Sequence, residues 1–282
     1  MSVKMIQDRL GGYHCRSSLE EEQSLREITQ EILLAALGRT DFFQKAGFQG
    51  GTCLRIFHGT NRFSDGLDFA LQERNPSFNL RPYRDILEKE LTAYGCELKI
   101  DDRSKAGQPV RKAFVKDDSL GSLLKLNFKP ASRPMRKMRI KLEVDTNPPE
   151  GATFEIKYLD FPFPSAVCVF DLPSLYAGKL HALLCRDYLK GRDWYDFIWY
   201  TARRTPANYT LLSSALNQMG PWMGRNLQAD RAWCLQRLQE RIKAIAWKQV
   251  REDVRRFVKS NELSSLELWS EEFFLAQAAK LA

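Results

Sequence analysis

Histidine is scarce in this 282-residue chain: His14, His58 and His181 are the three present, and they lie far apart. With so few, a histidine-based zinc site has no ligand set. Six cysteines (Cys15, Cys53, Cys96, Cys168, Cys185, Cys234) are scattered, without a Cys-x-x-Cys pair. That spacing excludes a zinc ribbon or a thioredoxin-like motif and reads as reduced, buried thiols. No window approaches 18 uninterrupted apolar residues, and Met1–Leu10 carries Lys4, Asp8 and Arg9 in place of an apolar signal core. The expectation is a cytoplasmic protein with no membrane association. Internal repeats and low-complexity segments are also lacking.

What is there is an ordinary globular composition, 44% hydrophobic and 28% charged, long enough for one large domain or two lobes. Lysine and arginine number 43 against 35 acids, a net charge of +8. That excess suits a polyanion such as RNA or DNA, and equally suits many proteins without one.

Apolar spacing predicts an amphipathic helix over 19–37 (Leu25, Ile28, Ile32, Leu33, Leu37) and a second over 81–94. From Cys96 to Val169 the pattern turns to strands, at 97–100, 111–115, 123–128, 138–144, 154–158 and 167–170. After Pro173 helices are expected at 173–189, 193–203, 207–218, 229–246 and 247–259, then a last short one. The change near residue 171 suggests an α/β core over 1–170 and a helical lobe over 171–282 that completes an active-site cleft. One continuous domain fits the pattern as well.

Residues 50–69 carry the most chemistry. Gly50 and Gly51 allow backbone N–H groups to approach a bulky anion such as a triphosphate ahead of a helix start. Asp65 and Asp68 follow in a strand-like segment, and carboxylates of that kind suit Mg²⁺. The same residues also read as a plain helix start, with Thr52 as a weak cap, and a solvated turn. In Ile140–Asp145 the period of two puts Lys141, Glu143 and Asp145 on one face and Leu142 and Val144 on the other. That is either an exposed strand face or half of a metal site shared with Asp65 and Asp68.

Lys179 falls inside the apolar stripe Leu175, Lys179, Leu183, so it either snorkels to water or meets an anion. Asp193 is placed to cap the following helix. With Asp196 it shares a face with Phe197 and Tyr200, and a carboxylate buried there needs a partner such as Arg192, Lys179 or a metal-bound substrate. Lys129, Arg133, Arg136, Lys137, Arg139 and Lys141 crowd together, with Arg103, Lys105, Arg111 and Lys112 upstream, as a solvated loop or a phosphate-backbone contact.

Several blocks, in order, resemble the AbiEii/AbiGii toxin family of nucleotidyltransferases over roughly residues 19–220. They are Arg26–Ile32, Phe48–Arg55, Arg62–Phe69, Leu142–Pro149, Ala177–Arg186 and Lys190–Asp196. The resemblance implies an α+β fold, a polymerase-β-like nucleotidyltransferase core with a mixed sheet plus a helical C-terminal lobe. It implies a toxin of a type IV-like toxin–antitoxin or abortive-infection (phage-defence) system, with an antitoxin partner. It further implies an Mg²⁺-dependent enzyme that moves a nucleotide from an NTP to an RNA acceptor, the tRNA 3′ end foremost. In that scheme Gly50, Gly51 and Thr52, joined by Arg55 and Ser64, hold the nucleotide. Asp65, Asp68 and Asp145 bind metal, Lys179 meets the triphosphate, and Asp193 completes the site. One departure is plain: many relatives read Ser-Glu-Asp-Leu-Asp-Phe, whereas here Gly66 stands at the first of the paired aspartates and Asp65 is one place off. The alternatives this opens are a catalytically weak protein that binds nucleotide, RNA or a partner on the same fold, and, behind it, a metal-dependent nuclease.

Overall fold

The computed structural model describes residues 2–94, 98–102, 109–117 and 138–282. They divide into two compact units: Met1–His58 with Phe63–Pro148 and Glu155–Val169, and Gly59–Arg62 with Pro149–Phe154 and Phe170–Ala282.

The first unit is built on a seven-stranded mixed sheet. Its helices are α1 (Ser2–Gly11), α2 (Ser18–Gly38), α3 (Phe42–Lys45), α4 (Gly50–His58) and α5 (Arg81–Ala93). Its strands are β1 (Ala46–Gln49), β2 (Gly66–Leu71), β3 (Leu98–Asp102), β4 (Val110–Asp117), β5 (Met138–Asp145), β6 (Phe154–Leu159) and β7 (Ser165–Phe170), the last two ending across the division. The order is β3-β4-β5-β2-β1-β7-β6. β2 runs parallel to β5 and β1 to β7, while β1–β2, β3–β4 and β4–β5 are antiparallel. Alternation in β5 is as its sequence requires: Ile140, Leu142 and Val144 are buried, and Lys141, Glu143 and Asp145 are half-buried on the other face.

α2 starts where Ser17 accepts the Glu20 N–H (3.2 Å) and Glu20 accepts the Arg16 N–H (2.8 Å). It differs from the amphipathic helix expected. Glu20, Glu21, Gln23, Glu27, Gln30 and Glu31 are buried along with the leucines and isoleucines. The reason is that polar partners meet them: Arg9 of α1 holds Glu31, and Tyr13 donates to Glu27 at 3.1 Å. The predicted strand at 123–128 and the basic residues 103, 105, 129, 133, 136 and 137 lie outside the described residues.

The second unit is helical: α6 (Leu172–Cys185), α7 (Gly191–Ala202), α8 (Tyr209–Gln218), α9 (Arg231–Lys243), α10 (Trp247–Arg255), a 3₁₀ stretch (Ser260–Leu268) and α11 (Glu271–Ala278). Its core is aromatic. Trp247 stacks on Phe274 with centroids 4.1 Å apart, Trp194 meets both edge-on, and Tyr176 stacks on Tyr200 at 4.3 Å. Gly191 sits where α7 crosses α10, and a Cβ there would land on the Val250 carbonyl. No helix among the described residues is long and apolar enough to cross a membrane, and the cysteines among them are free thiols.

Candidate active site

In the first unit the chain folds so that a turn and a carboxylate share one small volume. Gly50 adopts φ +79°, and a Cβ built on it would lie 2.8 Å from Asp68 Oδ2. Glycine is therefore required twice over, by backbone and by the approach of Asp68. The β1–β2 register explains the approach, because Gln49, just before the turn, pairs with Asp68. Thr52 is fully buried and its hydroxyl donates to the Gly66 carbonyl, so its side chain locks the turn to β2, and what α4 presents outward here is backbone.

Across the parallel pairing of β2 with β5, Asp68 lies level with Glu143, and Asp145 is level with Ala70. Asp68, Glu143 and Asp145 thus share one face of the sheet. Glu143 is paired with Lys141 at 2.5 Å. Asp145 accepts the Asn147 N–H at 2.9 Å, and burial pushes its carboxyl above the ordinary value despite that bond.

Three other residues singled out in the sequence point elsewhere. Asp65 precedes β2 and pairs with Arg26 at 3.4 Å. The Ser64 carbonyl accepts from Gln30 Nε2 at 3.1 Å, which ties the same segment to α2. Arg55 donates to Glu27 at 2.8 Å with its guanidinium 4.9 Å over the Phe63 ring. Among the described residues no group of three His, Cys, Asp or Glu side chains converges to hold a metal ion. A divalent cation held by one or two carboxylates and by substrate phosphates needs no such group, and the half-buried Asp68 and Asp145 fit that donor set.

The second unit carries a dense charge cluster. Arg62, fully buried, grips Asp196 with two bonds of 2.5 Å, from Nε to Oδ1 and from Nη2 to Oδ2. Lys179 reaches Asp193 Oδ1 at 2.6 Å and Asp196 Oδ2 at 2.8 Å, and Arg186 donates to Asp193 Oδ2. Burial alone would push both aspartates up. Lys179, Lys190 and Arg186 instead hold Asp193 down to about 2, and Arg62 and Lys179 hold Asp196 below its ordinary value. Glu262 braces this region by accepting from Asn61 at 2.8 Å and from Tyr195 at 2.9 Å.

One expectation changes here. Asp193 is not the N-cap: α7 begins earlier, at Gly191, whose N–H is capped by Asp253 at 2.7 Å. Asp193 occupies the third helical position, which frees its carboxylate for Lys179 and Arg186. Of the partners the sequence offered, Lys179 meets both aspartates, and the Arg192 guanidinium lies 3.9 Å over the Phe257 ring. The residues that sequence reasoning missed are Arg62 and Arg186. The available signal was charge balance, because two aspartates on an aromatic helix face require more than one lysine.

This is a mixed sheet with a glycine turn set against a strand carboxylate, accompanied by a helical unit rich in cations. The chain matches the family model "Nucleotidyl transferase AbiEii toxin, Type IV TA system" over residues 32–276, and it belongs to that family. It is a nucleotidyltransferase, the toxin of a type IV toxin–antitoxin system, whose partner is an antitoxin and whose donor is an NTP. Among solved structures it is similar to JHP933 from Helicobacter pylori (16% identity, 92% of this chain and 89% of that chain covered, TM-score 0.50), a likeness of fold. It also aligns with MenT4, a nucleotidyltransferase toxin from Mycobacterium tuberculosis H37Rv (15% identity, all of both chains covered, TM-score 0.49). A comparison with curated proteins gave no match.

Proposed function

We propose that this nucleotidyltransferase uses Mg²⁺ to transfer a nucleotide from an NTP to an RNA acceptor, the tRNA 3′ end foremost. The observation that carries the reading is the Asp68 carboxylate set against the Gly50 turn, on the same sheet face as Asp145. In the reaction an acceptor hydroxyl oxygen gives up its proton to solvent and forms a bond to the α-phosphorus, while the bond to the bridging oxygen breaks and pyrophosphate leaves. Such chemistry asks the protein for position and charge neutralisation more than for covalent help. Asp68 and Asp145 would hold Mg²⁺, which supplies charge neutralisation on the phosphates and on the attacking oxygen.

The rest falls to the chain itself. Backbone at Gly50 and Gly51 receives phosphate oxygens at the start of α4. Thr52 keeps that backbone in place through Gly66. Lys179, held by Asp193 and Asp196, contributes a fixed positive charge. The net charge of +8 supports a polyanionic acceptor.

The test is to incubate the protein with total tRNA, Mg²⁺ and each α-labelled NTP in turn, then run a denaturing gel. Label on tRNA with one nucleotide, lost on chelation, supports the reading. Label on another RNA but never on tRNA replaces the acceptor. Label that survives chelation removes the metal.

A further inference from the structure

β6 (Phe154–Leu159) closes one end of the sheet order, and among the described residues no strand lies beyond it. A sheet edge presents unpaired backbone N–H and C=O groups, which proteins ordinarily blunt with outward-pointing charge or with proline. Glu155–Leu159 contains no proline. On one face of the strand Ile156 and Tyr158 stand 57% and 72% exposed. On the other face Glu155 and Lys157 pair with each other at 3.2 Å, so the charges present cancel. A single exposed apolar side chain needs no explanation. Two on the same face of a bare edge strand, with no net charge beside them, make a pairing surface.

The order of the charges says what pairs there. When a strand adds antiparallel to a copy of itself, opposed residues must point their backbone groups toward each other, so the two-fold axis passes level with a residue. An axis at Glu155 sets glutamate against glutamate, and an axis at Lys157 sets lysine against lysine. An axis at Ile156 sets isoleucine against isoleucine and Glu155 against Lys157 twice, once on either side. Like charges directly opposed destabilise a sheet, while opposite charges and apolar pairs stabilise it. Glu-Ile-Lys is thus complementary to its own reversal, a property that serves a second copy of the same strand and no other partner. We propose that β6 is a homodimerisation edge: two copies of this chain join β6 to β6 about a two-fold axis at Ile156, each seven-stranded sheet continuing into the other. The inference is independent of the transfer reading, because none of these residues belongs to the proposed site.

The experiment is sedimentation velocity on the full chain over a dilution series, with wild type, Glu155→Lys, Lys157→Glu and an equimolar mixture of the two variants. Wild type should sediment as a dimer that dissociates on dilution. Each variant alone opposes like charges at both positions, which should raise its dimer Kd about tenfold or more. The mixture should recover wild-type association, because the strand with two lysines then faces the strand with two glutamates. Both side chains are half-buried and their pair adds little to the fold, so each variant should keep the wild-type circular dichroism spectrum. A wild type that stays monomeric throughout, or a dimer that both variants leave intact, overturns the proposal. Variants that fail to associate when mixed overturn it too, since the register centred on Ile156 requires that rescue. Protection of the β6 amides from exchange only when the antitoxin is added to a monomeric chain overturns the second copy as occupant and gives the edge to that partner.

Discussion

The strand unit and the helical unit treat charge in opposite ways. On β5 Asp145 stands half-buried and accepts one backbone N–H, and burial pushes it up rather than a cation pulling it down. On α6 and α7 the carboxylates are deeply buried and saturated, with Arg62, Lys179 and Arg186 dividing their oxygens. The first arrangement leaves carboxylate oxygen for a ligand, while in the second every carboxylate oxygen already meets a cation.

The contrast can be broken most forcefully at Arg62. Arg62→Ala strands Asp196 beside a single lysine in the core and should lower stability by roughly 3–5 kcal/mol, read by chemical denaturation. Asp68→Asn should do the reverse, leaving the denaturation midpoint near wild type while transfer falls roughly 10²–10³-fold, as loss of one preorganised charge does elsewhere. An equal stability loss in both variants would erase the distinction. Gly66→Asp tests whether the departure from the family pattern is reversible. A Cβ at residue 66 would lie 2.9 Å from the Lys141 carbonyl, so the variant should lose roughly 1–3 kcal/mol and gain no activity.

A smaller effect concerns acid. Asp193 is held at about 2 in the folded chain against 3.8 ordinarily. Its contribution, on the order of 2 kcal/mol, is present above about pH 4 and lost as the pH falls through about 2. Asp193→Asn should flatten that part of the stability curve in an acid titration. Least of all, Arg84→Ala removes an exposed pair with Glu88 on α5 and should change stability by about 0.5 kcal/mol or less.

Much of the fold was legible. Helices near 18–38 and 81–93 and strands β5, β6 and β7 follow from apolar spacing, and the Gly50–Asp68 neighbourhood from small residues beside acids. The less legible parts depend on contacts remote in sequence. α1 was unread because Ile6 and Leu10, its buried residues, are too few to show a period. The buried acids of α2 resemble a solvent face until Arg9, Tyr13 and Arg55 are known to meet them. Arg62 lies 134 residues from the aspartate it grips, and nothing local marks it. Asp193 reads as a cap in the sequence because nothing local shows that the helix starts at Gly191, whose N–H is met by Asp253 of another helix.

The chain path around Arg62 has a kinetic reading. Four residues, Gly59–Arg62, leave the strand unit after α4 and fold with the helices, and Phe63 returns. Their amides should therefore exchange with deuterium at the tempo of α6 and α7, while amides on both sides in α4 and β2 keep the tempo of the sheet. A short protected or unprotected window inside an otherwise uniform stretch would make those four residues a built-in reporter of when the helical unit opens.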